Sequence, residues 1–188
     1  FIGATYKGEK YIAAAIRSLQ EQTLKDIEII YVIDGSTDDT EDIIKAMAQY
    51  DPRIKYKALK ENVGISKARN MGLKMATADI IAVVDDDDLN MPERAEIIYS
   101  YLKDKNNAVF YSGMYRASQF LEIADYFSED GEYMGYKEAV PWEKGKLFAK
   151  NEVNPGYGNQ YISHATMGIT RDLMEKVPYR EHLKVGID

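Results

Sequence analysis

The sequence predicts an α/β domain with a mostly parallel central sheet flanked by helices, and two observations carry that expectation. Short β-branched apolar runs alternate with stretches of helical periodicity four times within residues 1–104. Parallel neighbours need such crossover helices, which cover both faces of the sheet. The second observation is where carboxylates fall. Asp34 follows the apolar run 27–33, and Asp85 follows Ile80-Ile81-Ala82-Val83-Val84. Acid therefore gathers at the carboxyl ends of strands, where α/β proteins bind ligands.

Taken in order, Phe1-Ile2-Gly3-Ala4 reads as a strand and Thr5-Tyr6-Lys7-Gly8 as a turn. Residues 9–22 then form a helix with Ile12, Ala15, Ile16 and Leu19 on one face. The strand 27–33 ends in Asp34-Gly35-Ser36-Thr37-Asp38, and Asp38 with Glu41 three residues on suggests a capping box for a helix bearing Ile43, Ile44, Met47 and Ala48. Residues 54–59 alternate like a half-exposed strand. Asn62-Val63-Gly64 turns into a helix with Ile65, Ala68, Gly72 and Met75 on one side, where two small residues suit close packing on the sheet. The run Ile80-Ile81-Ala82-Val83-Val84 is a strand buried on both faces, and Pro92 opens a helix carrying Ile97, Ile98, Tyr101 and Leu102. Residues 108–115 read as another strand. Helical and strand periodicity both fail over 118–161, where nine aromatics, Trp142 and Tyr157 among them, are interleaved with polar residues. That composition predicts an irregular, substrate-facing lobe, since aromatic faces stack on sugar rings and other flat surfaces. Residues 164–170 read as a strand and 171–176 as a short helix.

At 188 residues, 45% hydrophobic and 29% charged, the composition is that of one ordinary globular domain. Lys+Arg 24 against Asp+Glu 31 leaves a net charge of −7, which argues against broad nucleic-acid binding and implies a cation for any phosphate-bearing ligand. The absence of cysteine excludes disulfides and thiolate metal sites and fits a reducing compartment. No apolar run approaches the roughly 18 residues of a membrane span. Residues 1–4 resemble the tail of a strand and residues 185–188 stop without a terminal helix, so the sequence is expected to be part of a longer protein.

Asp85-Asp86-Asp87-Asp88 is the feature most in need of a chemical account. Two unit charges about 4 Å apart repel by about 1 kcal/mol in water and about 4 kcal/mol at an effective dielectric of about 20. Four adjacent carboxylates beside a core therefore call for a cation. The expected one is a hard divalent ion, Mg²⁺ or Mn²⁺, bound by one or two carboxylates and completed by phosphate oxygens and water. An EF-hand is excluded because Leu89 and Asn90 replace a ligand and the required glycine. A P-loop is excluded because Glu9 stands where that loop needs lysine.

Thr5-Tyr6, Asp34-Gly35-Ser36-Thr37-Asp38, Asn62-Val63-Gly64 with Ala68-Arg69-Asn70-Met71-Gly72-Leu73, and Val84-Asp85-Asp86-Asp87-Asp88 occur in an order and spacing that resembles family 2 glycosyltransferases of the Rossmann-like GT-A fold. The resemblance implies that residues 1–115 bind a nucleotide-diphosphate sugar, a UDP-sugar being expected, and that 116–188 form the acceptor-side half of the same domain. By position, Thr5, Tyr6 and Glu9 would line the base and ribose pocket and Asp34 would accept a hydrogen bond from the base. Lys67 and Arg69 would lie near the diphosphate, where cations suit leaving-group charge. Asp85 and Asp86 would face ribose and sugar, and Asp87 would be the principal ligand of Mn²⁺ or Mg²⁺. The family inverts the anomeric centre in one displacement and uses an aspartate as general base roughly a hundred residues past the metal motif, which points to Asp188.

Ala4, Lys7, Ile33 and Ile187 depart from the family's usual residues. His164, on the strand expected over 164–170, is a candidate metal or acceptor contact and otherwise a structural residue. The implied acceptor is a saccharide or lipid-linked saccharide, the implied location the cytoplasm or the inner face of its membrane, and a homodimer is the expected assembly. The alternatives are a metal-dependent nucleotidyltransferase and a non-catalytic nucleotide-sugar-binding module.

Overall fold

The computed structural model describes residues 1–111 and 164–181. The stretch 112–163, with its aromatic run, and residues 182–188, with Asp188, lie outside the described residues. Strand β1 (Ile2–Thr5) pairs in parallel with β2 (Ile29–Ile33) and β4 (Ile80–Val84), and β2 pairs in parallel with β3 (Ile54–Ala58). The remaining two strands, β5 (Val109–Tyr111) and β6 (Met167–Thr170), add antiparallel pairings, giving the order β3-β2-β1-β4-β6-β5. Strand order reverses between β1 and β4, so their carboxyl ends border the crevice where ligands of open α/β sheets bind.

Among the described residues, five helices cover the sheet: α1 (Ile12–Gln20), α2 (Thr40–Tyr50), α3 (Ile65–Met75), α4 (Arg94–Leu102) and α5 (Arg171–Lys176). All of β2 is buried, and its side chains divide between the faces as a strand's two-residue period requires. Ile29, Tyr31 and Ile33 pack with Ile12, Ile16 and Leu19 of α1 and Ile44 of α2. Ile30 packs on the other face with Ile2, Leu73, Ile81 and Val83. At the sheet's edge β3 exposes Lys55 and Lys57, charges that discourage pairing with another chain.

The departures from the expected elements are local. Helix α1 starts at Ile12, because Gly8's carbonyl accepts the N–H groups of both Tyr11 and Ile12 and closes a turn first. The Asp38–Glu41 capping box does not form. Asp39 is the N-cap of α2, while Asp38 accepts from the Thr40 hydroxyl at 2.6 Å and from the Glu9 N–H at 3.3 Å. Tyr101 is exposed and stacks on Phe110 at 4.9 Å instead of joining the core. His164 to Thr166 form a 3-10 turn, so only the second part of the expected strand pairs.

Two glycines behave in opposite ways. A Cβ on Gly72 would stand 3.7 Å from Ile2 and Val32, which is ordinary contact, so the helix does not require a glycine there. A Cβ on Gly3 would collide with the Tyr31 ring, 2.8 Å from its Cδ1. Gly72→Ala is therefore expected to stabilise the protein by about 1 kcal/mol in urea unfolding, through helix propensity and a narrower unfolded ensemble. Gly3→Ala should destabilise it by about 1–3 kcal/mol, since the ring has to move within a packed core.

At the end of the sheet away from the acidic run, Glu28 joins β3 to the turn before β4. Its carboxylate accepts from Lys55 Nζ at 2.5 Å, Thr77 N at 2.8 Å, Thr77 Oγ1 at 2.9 Å and Ala78 N at 3.1 Å. Partial burial raises its pKa, but the Lys55 ammonium and the Thr77 and Ala78 donors outweigh that and hold it down at about 2. A carboxylate depressed on folding contributes stability above its unfolded pKa and loses it as pH falls through the folded value. Glu28→Gln should therefore cost about 1–3 kcal/mol at neutral pH. In urea titrations from pH 7 downward, the gap from wild type is expected to start closing near the ordinary glutamate pKa and to vanish toward about 2.

Candidate active site

Three strand ends meet at the switch point. Thr5 ends β1, is buried, and its hydroxyl donates to Asp86 Oδ2. Gly8 lies against both partners, and a Cβ there would strike the Thr5 hydroxyl. Asp34 follows β2 and is only 3% exposed. Its Oδ1 accepts from Val63 N at 2.7 Å and its Oδ2 from Gly64 N at 2.9 Å, while Asn62 Nδ2 donates to its carbonyl at 3.1 Å. This carboxylate fixes the turn that starts α3. Asp34 thus satisfies two backbone N–H groups that lie ahead of that helix.

Glu9 and Tyr6 lie on the outer side of the same corner. Glu9 is exposed and accepts from Asp39 N at 3.1 Å, and Lys7 N donates to Ser36 Oγ at 3.0 Å, so the loops after β1 and β2 are stitched together. Tyr6 is 49% exposed, with the Lys7 ammonium 5.4 Å from its ring centre. Lys67, in the first turn of α3, is exposed.

The acidic run follows β4, and its four members have different surroundings. Asp85 forms an ion pair with Arg69, which is 2% exposed. Asp86 holds the Thr5 hydroxyl, and burial, with like charge from Asp87, raises its pKa despite that bond. Asp87 is exposed. Asp88 is half-buried, and burial together with Asp85 and Asp87 pushes it up to about 6.

Behind the run stands Arg94, which sequence reasoning did not single out. Its guanidinium donates to Val83 O at 2.8 Å, Ala165 O at 2.6 Å and Asn90 Oδ1. Burial lowers its pKa to about 10, against the pull of Asp88. The signal was available: Arg94, Ile98 and Leu102 recur at i, i+4 and i+8 on the face α4 turns inward. Gln22 was also missed. It is fully buried, donates to Met91 O at 2.8 Å and accepts from Ala95 N at 2.8 Å, pinning the loop between the acids and α4.

The donor set fits a divalent cation of the kind held by one or two carboxylates and completed by ligand oxygens. Asp85 and Asp86 are committed to Arg69 and Thr5, and Asp87 is the exposed member. No group of three or more acidic, histidine or cysteine side chains converges among the described residues, so an all-protein cage is not built there. Among those residues no helix is long and apolar enough to cross a membrane.

The sequence model for glycosyl transferase family 2 matches residues 1–177. The chain belongs to this family. It is 30% identical over 177 residues to glycosyltransferase GlyG of Streptococcus pneumoniae, covering 94% of this chain and 56% of that protein, so it spans little more than half of that relative's length. S. aureus TarS in complex with UDP-GlcNAc superposes with a TM-score of 0.57 at 28% identity over 68% of this chain and 37% of that one. A mannosyltransferase of Pyrobaculum calidifontis, solved with GDP-Man and Mn²⁺, shares the fold at TM-score 0.56 and 23% identity, over 61% of this chain and 34% of that one.

Removing Arg69 would leave Asp85 among like charges. Arg69→Met is expected to destabilise the protein by about 2 kcal/mol, below the roughly 3–5 kcal/mol of a fully buried pair because Asp85 keeps 36% of its side-chain exposure. The double variant Arg69→Met/Asp85→Asn should recover most of that loss in urea unfolding, and strict additivity would show that the two side chains are not coupled.

Proposed function

We propose that this chain is the donor-binding part of an inverting glycosyltransferase that moves a sugar from a UDP-sugar to a hydroxyl of a saccharide or lipid-linked saccharide. The observation that carries the reading is the acidic run at the β1–β4 switch point, with two carboxylates committed to protein partners and Asp87 exposed beside them. Likeness to TarS bound to UDP-GlcNAc supports the donor class.

In this reading Thr5, Tyr6 and Glu9 border the base and ribose, with Asp34 setting the turn behind them. Asp85 and Asp86, already oriented, accept hydrogen bonds from donor hydroxyls. Lys67 stands by the diphosphate, and Asp87 holds Mn²⁺ or Mg²⁺. A bound cation of this kind offsets the charge that develops on a departing nucleoside diphosphate. Asp188 takes the proton of the acceptor hydroxyl as that oxygen bonds to the anomeric carbon and the carbon–diphosphate bond breaks, inverting the centre.

Two variants test the assignment by calorimetry and by release of nucleoside diphosphate. Asp87→Ala should weaken Mn²⁺-dependent UDP-sugar binding by tenfold or more, and an unchanged Kd would remove Asp87 from the role. Asp188→Asn should abolish transfer while leaving donor binding intact. If the protein binds UDP-sugars with Mn²⁺ yet never releases UDP in the presence of saccharide acceptors, it is a binding module and not an enzyme.

A further inference from the structure

The residues after α5 return to the acidic run through a contact that neither the donor reading nor the motifs used. Asn70, next to Arg69 on α3, clamps the backbone of Tyr179 at both its polar groups: Nδ2 donates to Tyr179 O at 2.9 Å and Oδ1 accepts from Tyr179 N at 3.0 Å. Nδ2 also donates to Glu181 Oε1 at 3.0 Å. With its main chain held at two points, Tyr179 places its ring centre 5.7 Å from the Arg69 guanidinium carbon. The same guanidinium is almost wholly buried and paired with Asp85. A cation is held most strongly over an aromatic face when both are removed from water. Arg69 is therefore confined between a carboxylate and a ring, and the carboxylate it confines keeps 36% of its side-chain exposure.

We infer that Tyr179 is a positioning residue of the donor site, whose ring fixes the Arg69–Asp85 pair so that Asp85 meets the donor's hydroxyls already oriented. The inference rests on the nucleotide-sugar reading above. Preorganisation of this kind shows in affinity, because a side chain that must be ordered on binding weakens it. It also makes the ring's electrons, and not only its bulk, matter.

The test is a series at position 179 in the full chain, with UDP and MnCl₂ as the probe in calorimetry. It comprises Tyr179→Phe, phenylalanines with one, three and five fluorines at that position, and Tyr179→Leu. Fluorination keeps the ring's shape while removing the negative face that attracts the guanidinium. Tyr179→Phe should bind UDP within about threefold of wild type. Kd should rise stepwise with fluorine content to about tenfold at five, with Tm falling in the same order, and Tyr179→Leu should lose at least as much. A flat Kd across the fluorinated series, on a wild type that binds UDP, overturns the role of Tyr179 alone. A wild type that takes neither UDP nor a UDP-sugar overturns the donor reading and this inference together.

Discussion

Repulsion among the four carboxylates after β4 is the constraint to which much of this chain's polar architecture answers. Neighbouring charges at such spacing cost about 1 kcal/mol per pair in water and several times that near a low-dielectric core. The fold meets the problem with two arginines from different helices, Arg69 buried and Arg94 partly buried. Arg69 of α3 pairs directly with Asp85, and Arg94 of α4 lies behind the run and acts on Asp88 through its field. A neutral donor, the Thr5 hydroxyl, engages Asp86 between them. The run is thus graded, from a neutralised first member, through a hydrogen-bonded second and an exposed third, to a fourth whose proton affinity is raised.

That grading depends on topology. Thr5, Asp34 and Asp85 are far apart in sequence and come together because β1, β2 and β4 are parallel neighbours whose carboxyl ends share one side. The loops there are tied by side chains to backbone: Asp34 to the start of α3, Glu9 to the start of α2, Gln22 to the entry of α4. Each bond satisfies backbone groups that a loop beside a core would otherwise leave unpaired. Tyr31 joins this set, its hydroxyl 3.4 Å from the Asp85 carbonyl and its ring beside Gly3, so an interior aromatic reaches from the core to the site.

The strand–helix alternation was legible because its periods are strong. The parallel strands β1 to β4, their intervening helices and the position of the acids all follow from apolar spacing in the first hundred residues. Donor-site roles were less legible, for a physical reason. A motif residue such as Asp34 or Arg69 marks a place in the fold, but whether its charge faces a ligand or another part of the chain is decided by contacts distant in sequence. Arg69 meets Asp85 and Tyr179, and Asp34 meets Val63 and Gly64; no local pattern encodes those partners. Arg94 could have been found from its helical spacing, yet an arginine on an inward face contradicts ordinary residue preferences. The strand within 164–170 was legible, but the antiparallel direction of β6 was not, because four residues after a 3-10 turn carry too little sequence to show a direction.

Arginine, and not lysine, is the residue that can serve at both of these cationic positions, one buried and one partly buried. A lysine surrounded by as little water would lose its proton more readily, and an uncharged amine could not balance a carboxylate. Arginine keeps its charge even where burial lowers its pKa to about 10, as at Arg94. Its planar fork also serves several partners at once. Arg94 reaches the carbonyls of Val83 and Ala165 together, tying β4 to the 3-10 turn before β6, while Arg69 meets a carboxylate with one nitrogen and presents its guanidinium to an aromatic ring. The same two side chains therefore hold the charge and the geometry. With Arg69 paired to Asp85, the Thr5 hydroxyl bonded to Asp86 and Arg94 acting on Asp88 through its field, Asp87 is the exposed member of the run, the position from which a carboxylate can meet a cation.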